Sequence, residues 1–512
     1  MELELCKDIH SCYDALPPLT ETREQSAETI IPDYCPDIAR IVEGSGCLYL
    51  RSAEVADGRV SISGSLRLTL LYIADGNGGL KSFEYALPVE ETLDGRVRDG
   101  CSEVSVNGCV SALEIRTINP RKLMTRAALE LTAAPYCASQ LVTCGAVEDA
   151  AAHGIETLCE TQDVTILRAL RSADFVFSDA LTLSSGKESA AELLREAVSV
   201  RTTECRLIGG KLILKGVVCA DLLYLSEGGT ICRASAELPF SQILEGCEGA
   251  DENTSAEACV RLTGAEFRIG GEDGDARSVS AKLFLHAFAV IRQSLRVCCI
   301  TDLYSTSCEL SAEMQPLELC GGVRTVTQEQ SVRETIETGV EASTVLSASV
   351  SFGSIGAVRE EDEVLARCTA AIRVLYLDEG GAPLTVERRC EVSARIRVEG
   401  DCAAAVRSVT TCEVSAVPTA NGIEVRFPAL FAVECSVRRR CVCLCALKSE
   451  PGQAQESAGE PTLILRALHP GERLWDLARA YRTRVSDILA ANELSAEGDA
   501  SHGELLLIPR AH

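Results

Sequence analysis

Aromatic side chains make up only 4% of the 512 residues, and there is a single tryptophan, Trp475. Proteins that hold single-stranded nucleic acid stack bases on exposed rings, and this chain has little to stack them on. Positive charge is also short. Forty-nine Lys and Arg stand against 75 Asp and Glu, for a formal charge of −26. That balance opposes a phosphate backbone or an anionic lipid surface as partner, so no nucleic acid is expected. Apolar runs such as Phe427 to Val433 are far too short to span a bilayer, so no transmembrane segment is expected. The opening Met1-Glu2-Leu3-Glu4-Leu5-Cys6-Lys7-Asp8 has neither the basic nor the apolar stretch of a secretory leader, which predicts a cytoplasmic protein. Metal ligands are scarce as well. There are six His, and no two of the 26 Cys are spaced C-x-x-C, so neither a metal nor a cofactor is expected.

What remains is a chain that is 46% hydrophobic, and its interior must be built from Val, Leu, Ile, Ala and Cys. Such residues suit small β cores. Most of the cysteines read as small buried side chains kept reduced. The rival reading is that some cross-link later, when the surroundings turn oxidising. Cys441, Cys443 and Cys445 alternate and should share one face of a strand, whereas the adjacent Cys298 and Cys299 should point to opposite faces.

A repeat organises the chain. The stretches Gly58 to Tyr72, Gly210 to Tyr224 and Val364 to Tyr376 are similar, and Tyr72, Tyr224 and Tyr376 are evenly spaced along the sequence. Val60, Ile62, Leu66, Leu68, Leu70 and Tyr72 alternate with polar residues, the pattern of a strand with one buried face. Gly64 and Gly216 interrupt that face at the same place, where the third copy has Cys368, which suggests a bulge or a close backbone approach. Gly78-Gly79, Gly228-Gly229 and Gly380-Gly381 then turn the chain into a hairpin. The prediction is mainly β: three repeated antiparallel modules, each a sandwich or partly open barrel, over residues 1–160, 161–310 and 311–447. A short helical patch is expected at Glu188 to Arg195.

From Lys448 to Pro461 the apolar periodicity stops, and residues 448–461 read as a flexible linker. Residues 462–510 then show a βααβ pattern. Leu463-Ile464-Leu465 is a strand, and Leu474, Leu477, Ala478 and Tyr481 recur at helical spacing. Thr483 can cap a second helix carrying Val485, Ile488 and Leu489, Asn492 can end it in the left-handed conformation, and Leu505 to Pro509 closes the sheet.

The segments Ile31-Pro32-Asp33-Tyr34-Cys35-Pro36-Asp37-Ile38 and Leu181 to Lys187, with the Leu-Leu-Tyr strand and its Gly-Gly turn, resemble the SPOCS domain of spore-forming Firmicutes, a family associated with the spore coat. Pro470 to Ala478, Ile488 to Asn492 and Leu507-Ile508-Pro509 are similar to a LysM domain. The resemblance implies a groove between two loops, lined by Gly471, Glu472, Arg473 and Leu474 on one side and by Leu494, Ser495, Ala496 and Glu497 on the other. LysM domains usually bind N-acetylglucosamine glycans such as peptidoglycan. Here Arg473 stands where the family usually has Ser or Thr, and the second loop is acidic without an aromatic platform, which makes a protein partner credible.

No catalytic constellation is legible. Cys35 lies between Asp33 and Asp37, but no base is indicated by spacing. The resemblance implies a non-enzymatic coat-morphogenesis adaptor of the mother-cell cytosol, recruited to the forespore surface. LysM would dock the coat basement-layer ATPase, and the SPOCS array would offer surfaces for self-association and other coat proteins. The alternative is a peptidoglycan-binding protein that uses the LysM groove.

Overall fold

The structure is a computed structural model that describes residues 2–76, 79–95, 97–98, 100–270, 276–398, 402–411, 413–450, 462–496, 500 and 503–510. The chain begins with β1 (Leu5–Ala15), β2 (Leu19–Ile30), β3 (Ile38–Ala56), β4 (Arg59–Ala74), β5 (Leu80–Asp94), β6 (Cys101–Asn119) and the long β7 (Lys122–Val147). A second round follows as β8 (Ile155–Thr182), β9 (Ala190–Ile208), β10 (Lys211–Ser226), β11 (Ile231–Glu245), β12 (Thr254–Ile269) and β13 (Ser278–Ser305). The third comprises β14 (Glu309–Ile336), β15 (Ala342–Glu360), β16 (Glu363–Asp378), β17 (Pro383–Arg397), β18 (Cys402–Thr410), β19 (Ser415–Thr419) and β20 (Gly422–Glu450). Last come β21 (Leu463–Ala467), α1 (Leu474–Tyr481), α2 (Val485–Ala491) and β22 (Leu505–Pro509). The expected mainly β architecture is present, and each module is an antiparallel sandwich rather than a barrel.

In each module one sheet is a simple meander, β3-β4-β5, β9-β10-β11 or β15-β16-β17. Its apolar face packs on a second sheet centred on β7, β13 or β20. In the first module Val60, Ile62, Leu66 and Leu68 meet Ala127, Leu129, Leu131 and Ala133, so the alternation in the sequence becomes the two halves of one core. Cys101 and Cys137, opposite each other on β6 and β7, are joined as a disulfide, and the other described cysteines are free.

The central strands outrun the sandwiches. The far half of β7 pairs with β1, that of β13 with the first half of β8, and that of β20 with the first half of β14. These three ribbons converge on Leu3, Val147, Ile155, Val297, Ile300, Leu303, Leu444 and Leu447, forming a stalk with its own core. The expected module limits at 160/161 and 310/311 therefore fall inside β8 and β14, each of which serves stalk and sandwich in turn. Residues 448–450, expected as linker, pair with Glu309 to Ser311. The rest of that linker, and Gly78 of the first Gly-Gly turn, lie outside the described residues.

The modules also meet face to face. Val42, Leu71 and Leu80 of the first cluster with Leu194 and Leu223 of the second and Leu346 and Leu375 of the third. Equivalent positions of three copies can all touch only around an approximate threefold axis. At that axis Arg195, 8% exposed, donates Nη1 to Oε2 of Glu43 at 2.5 Å and Nη2 to Oγ of Ser347 at 2.6 Å. Glu43, Arg195 and Ser347 are themselves equivalent positions. The helical patch expected at Glu188 to Arg195 is instead the start of β9, paired with β10. Helix-forming residues yield here to sheet pairing and burial at the hub.

Candidate binding site

The C-terminal domain has the expected βααβ order, with β21 antiparallel to β22. Helix α1 forms because Leu474, Leu477 and Ala478 give it a buried stripe. Arg473 sits at its N-cap in extended geometry, and its backbone N–H donates to Oδ2 of Asp476 at 3.0 Å. The Arg473 guanidinium beside it holds the Asp476 carboxyl below its usual range. The helix ends at Arg482, which is left-handed with φ 50°.

Two expected caps differ from the structure. Arg484, not Thr483, is the N-cap of α2. Thr483 is buried, with an Oγ1 that finds no partner among the described residues. Asn492 ends α2 but with φ −110°; the left-handed residue is Glu493. Asn492 instead ties the helix to the sheet, donating Nδ2 to the carbonyls of Ile488 and Leu507 and accepting from Leu507 N–H, each at 2.7 Å. A side chain with both donors and an acceptor can close that junction, whereas a purely conformational cap could not.

The eight residues expected to line the groove divide by their surroundings. Gly471, Arg473, Ser495 and Ala496 are exposed. Gly471 has φ +83°, a turn conformation that favours glycine. Glu472 is committed to the turn itself: it pairs with Arg466 at 2.9 Å and accepts the His469 N–H at 3.2 Å. Leu474 is buried in the domain core, and Leu494 packs partly buried against it. Glu497 lies outside the described residues. The exposed members of the expected groove are thus a turn glycine, one arginine and two small residues of the second loop.

The domain also packs on the rest of the protein. Tyr304 of β13 enters the core made by Leu474, Trp475, Leu477 and Ile488. Its ring meets Trp475 edge-on, with centroids 4.9 Å apart, and its hydroxyl donates to the Thr483 carbonyl at 2.8 Å. Burial pushes the Tyr304 hydroxyl well above its ordinary pKa. Asp302 accepts from Nε1 of Trp475 at 2.8 Å and from Arg479 Nη1 at 2.7 Å. Arg482 pairs with Glu309 and Arg484 with Glu156, each at 3.2 Å. Sequence reasoning missed this contact because the partners lie in distant parts of the chain. The one available signal was Trp475, an indole whose N–H needs an acceptor when buried.

The entry segment around Cys35 has a structural explanation. Arg121 holds it, donating to Pro32 O at 2.9 Å and to Asp37 Oδ1 at 2.6 Å. Tyr72 donates to Pro36 O at 3.2 Å, and Tyr224 repeats this with Glu188 O at the same distance. Burial raises the Cys35 thiol, the reverse of what a nucleophile needs. No group of His, Cys, Asp and Glu among the described residues is arranged to hold a metal ion, and no helix among them is long and apolar enough to cross a membrane.

Comparison with known families agrees with the resemblance read from the sequence. The family model described as SipL, SPOCS domain matches residues 37–118 and 189–269, and the LysM domain model matches residues 469–509. The first two regions run from the start of β3 and β9 through most of β6 and all of β12. The chain therefore carries SPOCS domains, which are sporulation-related, and a LysM domain, and both are non-catalytic families. No curated protein and no solved structure matches the chain.

Proposed function

We propose that this chain is a non-enzymatic spore-coat adaptor, in which the LysM domain docks a basement-layer ATPase polymer and the SPOCS array offers surfaces to other coat proteins and to further copies of itself. Its place would be the mother-cell cytosol, at the forespore surface. The observation that carries this reading is the two-sidedness of the LysM domain. One face is anchored on the stalk through Trp475 and Asp302, while Gly471, Arg473, Ser495 and Ala496 stay exposed. A domain held in that way presents its groove from a fixed base, which lowers the entropy cost of binding. The groove has no aromatic platform for a sugar ring, which favours a protein partner over a glycan.

The test is a pull-down from sporulating cells with the full chain and with residues 462–510 removed. Capture of the ATPase by the full chain alone supports the adaptor, and equal capture by the truncation overturns LysM docking. Calorimetric titration of the intact protein with chitooligosaccharide should give no saturable heat; a saturable isotherm that disappears when residues 462–510 are removed would favour the peptidoglycan-binding alternative.

A further inference from the structure

The two-stranded sheet of the C-terminal domain is covered on one face and closed on one edge only. Ile464, Leu506 and Ile508 belong to the domain core. The opposite face carries Leu463, Leu465 and Ala467 of β21, which stand across from Pro509, Leu507 and Leu505 of β22. None of these side chains is charged, and Leu463, Leu465 and Leu505 are 51%, 59% and 61% exposed. Arg510 N–H donates to Thr462 O, and Leu468 N–H donates to Glu504 O, so the even-numbered residues of β21 are the ones bonded toward β22. In an antiparallel pair the N–H and C=O groups of the intervening residues point away from the partner strand. On β22 that outer row is closed, because Asn492 both donates to and accepts from Leu507. On β21 it is open. Leu463, Leu465 and Ala467 turn their backbone groups outward, and β21 pairs with β22 alone among the described strands. The sandwiches guard their edges differently: β2, at the end of its sheet, carries Glu21, Arg23, Glu24 and Glu28, and such charges discourage edge pairing. The one charged residue of β21, Arg466, lies on the other face and is paired with Glu472.

We propose that β21 is a strand-addition edge, at which a second copy of this chain pairs its own β21 antiparallel about Leu465. The edge is self-complementary. Leu465 meets Leu465 of the second copy as a hydrogen-bonded pair, and Leu463 meets Ala467 of the second copy on either side, giving about six new backbone hydrogen bonds. Ile464 falls opposite Arg466 of the second copy, so no two like charges face each other, and the leucines of the two outer faces become cross-strand neighbours. Charge also favours a second copy at this place. Residues 462–510 hold six Arg against seven Asp and Glu, a net −1 within a chain of −26. Two such chains repel over most of their surface, and a nearly neutral domain with an uncharged face is where they can approach. The contact adds to the adaptor a self-association surface outside the SPOCS array and does not depend on ATPase docking.

Two paired strands bury less area than a stable dimer needs, so the dissociation constant is on the order of 0.1 mM. The experiment is sedimentation velocity on the purified full chain, from about tenfold below that concentration to about threefold above it, with hydrogen exchange measured at both ends. Two results together support the proposal. The first is a reversible dimer that strengthens with added salt, as repulsion between the chains is screened. The second is roughly threefold slower exchange at high concentration in the peptide holding Leu463 to Ala467, the factor set by mass action. Leu465→Pro removes an outward N–H without removing a bond to β22, and the loss of one hydrogen bond in each direction should weaken the dimer roughly tenfold. A chain that stays monomeric throughout overturns the proposal. So does a dimer with unchanged exchange in β21, or one that Leu465→Pro leaves intact, since either places the contact on another surface. If the variant fails to fold, the exchange comparison on the unaltered chain decides alone.

Discussion

A methyl group added at Gly64 would lie 2.3 Å from the carbonyl oxygen of Tyr49, and one at Gly216 would lie 2.7 Å from that of Arg201. Both carbonyls belong to the strand bulged opposite the glycine, where the register shifts between Leu50 and Ser52 and opposite Lys215 and Gly216. The expected close approach is therefore real; at Gly64 its cause is backbone rather than a turn conformation, and at Gly216 the Phe240 ring comes closer still, at 2.4 Å. In the third module the register jumps further, from Gly353 to Gly356, and Cys368 fits beneath the wider bulge. Gly64→Ala should cost about 2–3 kcal/mol in denaturant unfolding, and an unchanged midpoint would show that β3 simply shifts. The Leu-Leu-Tyr signature was only half legible. Leu70 and Tyr72 follow the alternation into a module core, but Leu71 falls on the polar side of the pattern and is nonetheless fully buried. Its partners are Leu223 and Leu375, and period-two reasoning within one strand does not see other modules.

Among elements, the helices of the LysM domain were readable because a 3.6-residue period survives in a small domain with one core. Their ends were not. The α2 N-cap moved from Thr483 to Arg484 because the Thr483 carbonyl is committed to Tyr304, a demand from outside the domain. The anchoring of α1 rests on Asp302, whose carboxylate serves both Trp475 and Arg479. Hydrogen bonds to a charged group are worth about 1.5–3 kcal/mol. Asp302→Ala should therefore loosen the domain from the stalk, shifting Trp475 emission to the red and raising its quenching by iodide, while far-ultraviolet circular dichroism stays as it was. Unmoved emission would mean that Tyr304 packing suffices. The strand at Ala190 was misread as helix for the opposite reason: its residues favour helix locally, and only pairing with β10 and contact with other modules overrule them.

For the molecule as a whole, the even spacing of three tyrosines announced three copies, but not that the copies share a centre. At that centre the three equivalent positions hold Glu43, Arg195 and Ser347, so the symmetry is broken where a symmetric set of charges would repel. Arg195 Nε finds no hydrogen-bond partner among the described residues. Removing one member of a buried ion pair strands the other, at a cost of about 3–5 kcal/mol, whereas replacing both by apolar residues is often neutral. Arg195→Ala should lower stability by that amount in urea unfolding, and Glu43→Leu with Arg195→Leu should recover most of it. Equal losses in both variants would mean that the pair holds the modules together instead of setting their register. The amide of Leu3 donates to the carbonyl of Leu447, and the backbone of Glu2 pairs with that of Lys448 in an isolated antiparallel bridge. This seam turns a string of units into a closed circlet, and a fourth unit could be admitted only by prising it open.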